Sequence, residues 1–239
     1  MAVARTAVLL VAGIGSRLRP LTDDRPKALV DIGGETILGR AVRLLGEHGV
    51  KRLVLATGYR EDAVRAALAG SRLEVVLCRN ERFDSTQNSV SLALCREAVG
   101  RESFYKLDGD VVFRPEVLSR LDGAAGDIAV AVDRTRRTDA EAMKFVLAPD
   151  ARIQAFGKGL GLEISAGESI GIERVAEGAV VPLFDALSQP ENAALYYEDV
   201  YSKLIAGGVL DARAVDVGDL PWTEVDDPTD LERARHLFD

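Results

Sequence analysis

The chain has 239 residues, of which 47% are hydrophobic and 28% charged, a mixture that suits a globular core and excludes a disordered segment. Its formal net charge of -8 excludes a general binder of nucleic acid or of anionic membranes, while leaving room for a local basic pocket. The uncharged apolar stretch 6–16 falls short of the roughly 20 residues a membrane span needs, and the arginines that follow it argue against a signal peptide.

Apolar residues on both faces of 6–12 predict a buried strand. A helix is expected over 36–48, with Ile37, Leu38, Ala41, Leu44 and Leu45 on one face and Gly49 ending it. A strand over 51–57, a short helix over 61–69 and a strand over 73–77 follow. A helix over 89–99 and a strand over 103–107 complete a βα rhythm that implies a mainly parallel sheet with helices on both faces. Beyond residue 125 the pattern changes. Strand-like runs at 127–132, 144–147 and 152–156 crowd together, with Ala148-Pro149-Asp150-Ala151 as a turn, and read as an antiparallel excursion. The glycine-rich stretch 157–167 reads as mobile. Helices are expected over 174–187 and 200–206, then a short strand and a helix over 231–238. Without repeats or linkers, this is one domain, 1–239. Cys78 and Cys95 read as free thiols of a reducing, cytoplasmic compartment, and the two histidines are too few for an ordinary zinc site.

The first chemical signal is the loop Leu10-Val11-Ala12-Gly13-Ile14-Gly15-Ser16-Arg17-Leu18-Arg19-Pro20-Leu21-Thr22, followed by Arg25-Pro26-Lys27-Ala28-Leu29. Open α/β sheets bind ligands at the carboxyl ends of their strands, where glycines let backbone N–H groups approach a phosphate. The Gly-Lys-Ser/Thr of a Walker A loop is missing, and Leu18 stands where a dinucleotide fingerprint has its third glycine. A solvated surface cluster would account for the basic residues alone, but not for their order behind a strand, two glycines and two prolines. The loop reads as a phosphate cradle, with Leu10, Ala12, Gly13, Gly15 and Ser16 beside a nucleotide and Arg17 and Lys27 neutralising its phosphates.

This ordered pattern, L-x-A-G-x-G-S-R-L-x-P-L-T followed by P-K-A-L, resembles the nucleotide-binding signature of the sugar-nucleotidyltransferase superfamily. Val11 stands in place of the commoner Ala. Within that superfamily the chain is most similar to the cytidylyltransferases that act on phosphocholine, 2-aminoethylphosphonate and related small acceptors. The resemblance implies a Rossmann-like, GT-A-like α/β fold with an acceptor-side subregion at roughly 127–210. It also implies CTP and a phosphorylated or phosphonate acceptor as substrates, pyrophosphate as leaving group and Mg²⁺ as cofactor.

Two acidic segments suit that metal. Lys106-Leu107-Asp108-Gly109-Asp110 closes a strand, and in extended chain Asp108 and Asp110 project to one side. Carboxylates at a strand end without histidine suit a hard cation carrying phosphates, although loops also favour Asp and Gly. In Trp222-Thr223-Glu224-Val225-Asp226-Asp227-Pro228, Asp227 before Pro228 is explained as a helix cap, which leaves Asp226 as the candidate ligand. The resemblance places the metal on Asp110 and Asp226, with Asp108 a secondary candidate beside the nucleotide.

Asn88 and Ser89 open a helix, so capping accounts for them, but the resemblance puts such an Asn on the nucleotide. The absence of a G-T-A type segment there favours the cytidylyl branch. Tyr59, after Thr57-Gly58, either packs or borders the pyrimidine. By resemblance Lys158 meets a phosphate and acts as a third catalytic cation beside Arg17 and Lys27; Lys144 is a weaker candidate. On the acceptor side, Glu168, Tyr196, Tyr197 and Glu198 could surround an ammonium group, although Glu198 and Asp199 also suit a helix first turn. Adjacent helical tyrosines point about 100° apart, so one should face a ligand while the other packs. Relatives that bind choline carry an aromatic near Met143, whose absence brings a primary amine into competition. The alternatives are a sugar-1-phosphate or inositol-phosphate nucleotidyltransferase and a non-catalytic nucleotide sensor. A homodimer is left open.

Overall fold

The structure is a computed structural model and describes residues 3–135, 138 and 140–238. Strands β1 (Thr6–Leu10), β2 (Arg52–Thr57), β3 (Glu74–Arg79) and β4 (Phe104–Asp108) run parallel, and between them the chain forms helices α1 (Ile37–His48), α2 (Glu61–Ala67), α3 (Asn88–Ala93) and α4 (Arg96–Val99). There follow β5 (Val111–Phe113), α5 (Glu116–Asp122), β6 (Ile128–Asp133), β7 (Lys144–Leu147), β8 (Ile153–Gly157) and β9 (Glu168–Val175). The chain ends with α6 (Glu177–Leu187), α7 (Tyr197–Ala206), β10 (Ala212–Asp216), β11 (Trp222–Glu224) and α8 (Pro228–Phe238). The main sheet has the order β10-β6-β9-β4-β1-β2-β3, with β9 antiparallel to both of its neighbours and the β7–β8 hairpin attached at its end. The expected mixed, mainly parallel sheet is present.

Alternation along each buried strand builds the two faces. Ala7, Leu9, Leu53, Leu55, Tyr105 and Leu107 pack with α1, α2 and α5 on one side. Val8, Val54, Ala56 and Phe104 pack with α3, α6 and α7 on the other. Both cysteines are free thiols, as expected. A smaller third cluster joins distant stretches of chain: Leu18 and Val30, Val112 of β5, and Val225, Leu231 and Ala234 around α8. It seats the carboxyl-terminal helix beside the glycine loop.

Three expected elements differ. Residues 168–175 form β9, so the helix expected from 174 starts only at Glu177. Glu173 and Arg174 disguise this strand, yet both are buried: Lys106 pairs with Glu173, and the Arg174 guanidinium donates to Leu121 O and Ala124 O. The helix expected over 89–99 breaks at Leu94-Cys95 into α3 and α4. The helix expected from 200 begins at Tyr197, one turn earlier. No described helix is long and apolar enough to cross a membrane.

Asp227 caps α8 as its position before Pro228 suggests: its Oδ1 accepts from the Thr229 and Asp230 N–H groups at 2.7 and 3.0 Å. Asp227→Ala should therefore cost about 1 kcal/mol in a denaturant titration, with turnover largely retained.

Candidate active site

The glycine loop leaves β1 at the sheet's carboxyl edge and borders a cavity of about 390 Å³. Gly15 lies in the left-handed region at φ 72°, and a Cβ there would stand 2.7 Å from Lys27 Cβ, so only glycine admits the lysine stem across the loop. Thr22 Oγ1 donates to Gly15 O at 2.8 Å, and Tyr59 OH donates to Asp23 O at 2.6 Å. Leu10, Ala12, Gly13, Gly15, Arg17 and Lys27 all line the cavity. Ser16 starts a short exposed turn outside that lining. Tyr59 bonds to the loop and packs against Phe83, and it does not line the cavity.

Asp110 and Asp226 converge because β5 and β11 pair: Glu224 lies opposite Val111, and Val225 N–H donates to Asp110 O at 3.0 Å. Their side chains meet on Lys27, whose Nζ is 2.6 Å from Asp110 Oδ2 and 2.5 Å from Asp226 Oδ1. Arg17 takes the other oxygen, Asp226 Oδ2, at 2.7 Å. Burial opposes the charge on Lys27, but Asp110 and Asp226 outweigh it and hold the ammonium above the usual lysine range. Burial likewise opposes the charge on Asp226, yet Lys27 and Arg17 hold its carboxyl below the usual range. The two carboxylates thus already share one cation. Hard oxygen donors suit Mg²⁺, which takes one or two protein carboxylates and completes its shell with phosphates and water. Among the described residues no larger acidic or histidine cluster competes for that role.

Beneath the cavity lies a buried ionic network that sequence reasoning missed. Lys106, fully buried in β4, is 2.9 Å from Asp108 Oδ1 and 3.3 Å from Glu173 Oε2, with its Nζ 3.4 Å above the Tyr197 ring. Tyr197 OH donates to Asp108 Oδ2 at 2.9 Å. The one available signal was a lysine inside the apolar run of β4. Burial pushes Glu173 up to about 7 and Glu198 up to about 8, with neighbouring carboxylates adding to the burial and Lys106 opposing it. Glu198 borders the cavity, is 4% exposed, and its Oε2 has no hydrogen-bond partner.

The expected acceptor residues separate. Tyr196 lines the cavity, and Lys158 Nζ lies 5.1 Å from its ring centroid. Tyr197 does not line it: the residue is fully buried as the first residue of α7, and its N–H donates to Asn88 Oδ1 at 2.9 Å. Asn88 therefore caps a distant helix, and it also lines the cavity. Ser89 is also buried away from the cavity, donating to Asn192 O at 2.9 Å. Lys144 is buried with its Nζ on Lys158 O at 2.7 Å and does not line the cavity. Glu168 borders a neighbouring depression of about 370 Å³ that shares Arg17, Lys158 and Asp226 with the main cavity. Phe83, Gln87, Ser91 and Met143 also line the main cavity, and of these four the sequence points only to Met143.

The MobA-like NTP transferase domain model matches residues 7–204. The chain is 33% identical to the CMP-5'-(3-aminopropyl)phosphonate synthase of Streptomyces rubellomurinus over 249 residues, covering 99% of this chain but only 39% of that protein. It is 25% identical to the CTP:phosphoglutamine cytidylyltransferase of Campylobacter jejuni, covering 95% of this chain and 97% of that protein. Among solved structures it is similar to the inositol-1-phosphate CTP transferase from T. maritima, with TM-score 0.84 and 25% identity over 99% of this chain and 95% of that one.

The raised carboxyls carry a pH signature. Glu173 and Glu198 hold protons in the folded protein that the unfolded chain releases at ordinary carboxyl pH, so their contribution to stability is lost as pH rises through about 7 and about 8. The melting temperature should fall from about pH 5 to about pH 8 and level off above that. Glu198→Gln, which mimics the protonated form, should flatten the alkaline part of that slope. An unchanged slope would mean that Glu198 does not titrate there.

Proposed function

The chain belongs to the family of the MobA-like NTP transferase domain, and from that premise we propose that it transfers CMP from CTP to a small phosphorylated or phosphonate acceptor with a cationic tail, releasing pyrophosphate. The observation that carries the transferase reading is the meeting of Arg17 and Lys27 with Asp110 and Asp226 beside the glycine loop. The choice of CTP rests on relatives whose names specify CMP or CTP.

An acceptor phosphate or phosphonate oxygen is already ionised at neutral pH, so attack on the α-phosphorus needs no general base. Catalysis is then positioning and charge neutralisation. Backbone groups around Gly13 and Gly15 cradle the phosphates, and the cations of Arg17 and Lys27 balance the charge that builds up on the departing pyrophosphate. Lys158 reaches the same cavity from the acceptor side. Asp110 and Asp226 would hold Mg²⁺, which when bound supplies charge neutralisation of the triphosphate. Asn88, which lines the cavity, would meet the nucleoside.

The cationic tail is supported by the acceptor-side wall, where Tyr196 and Glu198, whose buried Oε2 has no hydrogen-bond partner, border one cavity. An aromatic face with a buried carboxylate favours an ammonium over a neutral polyol. An inositol phosphate is the second reading, supported by the likeness to the inositol-1-phosphate CTP transferase.

Pyrophosphate release should be measured for four triphosphates crossed with 2-aminoethylphosphonate, phosphoethanolamine, phosphocholine, glucose 1-phosphate and inositol phosphate. CTP with a cationic acceptor is expected to give the highest kcat/KM; a faster neutral sugar or inositol phosphate would overturn the cationic reading. Asp110→Ala and Asp226→Ala should each remove nearly all turnover, as should EDTA. Glu198→Gln should lower kcat/KM for 2-aminoethylphosphonate about tenfold, the loss of one desolvated cation contact of about 1–2 kcal/mol.

A further inference from the structure

We propose that Lys27 is a placeholder for the divalent cation: in the nucleotide-free protein its ammonium occupies the point between Asp110 and Asp226, and the metal enters only when a triphosphate draws Lys27 away. This inference rests on the proposed metal role of those two carboxylates.

The charges and the geometry carry it. Lys27 Nζ bridges Asp110 Oδ2 and Asp226 Oδ1 at 2.6 and 2.5 Å, the place a bridging cation would take, and Arg17 holds Asp226 Oδ2 at 2.7 Å. Two carboxylate charges thus face two cations. A divalent ion arriving alone would meet a site already neutral and would have to displace the ammonium into empty cavity. A triphosphate changes that balance, because its several negative charges offer Lys27 and Arg17 a stronger partner and leave both carboxylates free.

The lysine is built to move. Its ammonium is a compact charge on a flexible stem, unlike the planar guanidinium of arginine. The stem crosses Gly15 from Cβ to Cδ: a Cβ added to Gly15 would strike Lys27 Cβ at 2.7 Å, and Cγ and Cδ pass within 3.3 and 3.4 Å of the same point, which leaves the last bonds, to Cε and Nζ, to swing. Its pivot therefore lies on the phosphate cradle itself. Swinging about that pivot takes Nζ from the carboxylates to the triphosphate without any movement of the backbone. Metal and nucleotide binding are then coupled, and by reciprocity each strengthens the other.

The test uses Mn²⁺ alone as probe, with binding to nucleotide-free protein read from the loss of the free-ion signal in electron paramagnetic resonance. Wild type should take up no Mn²⁺ at concentrations where Lys27→Met binds one equivalent, a gain in affinity of at least about tenfold. Arg17→Gln, an exposed change that leaves the fold untouched, should give a smaller gain. Adding Asp226→Asn to Lys27→Met should abolish the binding. Wild type that binds Mn²⁺ as tightly as Lys27→Met overturns the proposal. So does a folded Lys27→Met that binds none while EDTA stops wild-type turnover. Turnover that survives EDTA overturns the metal reading itself.

Discussion

Lys27 sits where three distant parts of the chain must meet. Its own segment follows the glycine loop, Asp110 ends the turn after β4, and Asp226 stands at the last strand's exit. The charged groups alone could not hold this meeting, because partly exposed ion pairs contribute little against the entropy of ordering them. The third apolar cluster does so. Leu18, Val30, Val112, Val225 and Leu231 bury one another immediately beside the three charged residues, and the β5–β11 pairing sets the spacing between the two carboxylates. Apolar packing thus positions the charges, and the charges give the site its chemistry.

The same division explains what the sequence reveals. The glycine loop, Lys27, Asp110 and Asp226 are legible because each belongs to a local pattern: strand, glycine, charge, or acid before a cap. The strand β9 is not legible, because Glu173 and Arg174 look like helix surface and only their partners, Lys106 and the carbonyls of Leu121 and Ala124, make burial tolerable. Those partners lie dozens of residues away. Tyr196 and Tyr197 illustrate the same limit. Helical geometry says that one tyrosine packs while its neighbour faces out. The structure selects Tyr197 for burial because its hydroxyl finds Asp108 and its ring covers Lys106. Likewise Asn88 and Ser89 look like caps of their own helix, but each bonds across to the segment around 192–197.

The network around Lys106 links the fold to specificity. Asp108 and Glu173 pair with one buried ammonium, Glu198 lies near it, and burial, helped by the surplus of acid, raises Glu173 and Glu198 toward neutrality. An acidic pocket short of cations can accept either a proton or an ammonium group. Glu173 and Glu198 each have an oxygen without a hydrogen-bond partner, and of these two Glu198 borders the cavity. If the acceptor carries an ammonium group as proposed, its selection and part of the pH sensitivity of the fold would fall on the same side chain.

The most direct test of the central claim is the anomalous scattering of Mn²⁺ in crystals grown with CTP. The account predicts a single anomalous peak between Asp110 and Asp226, with the Lys27 ammonium moved onto the triphosphate. A triphosphate bound in the cavity with Lys27 still bridging the two carboxylates, and no metal between them, would contradict it.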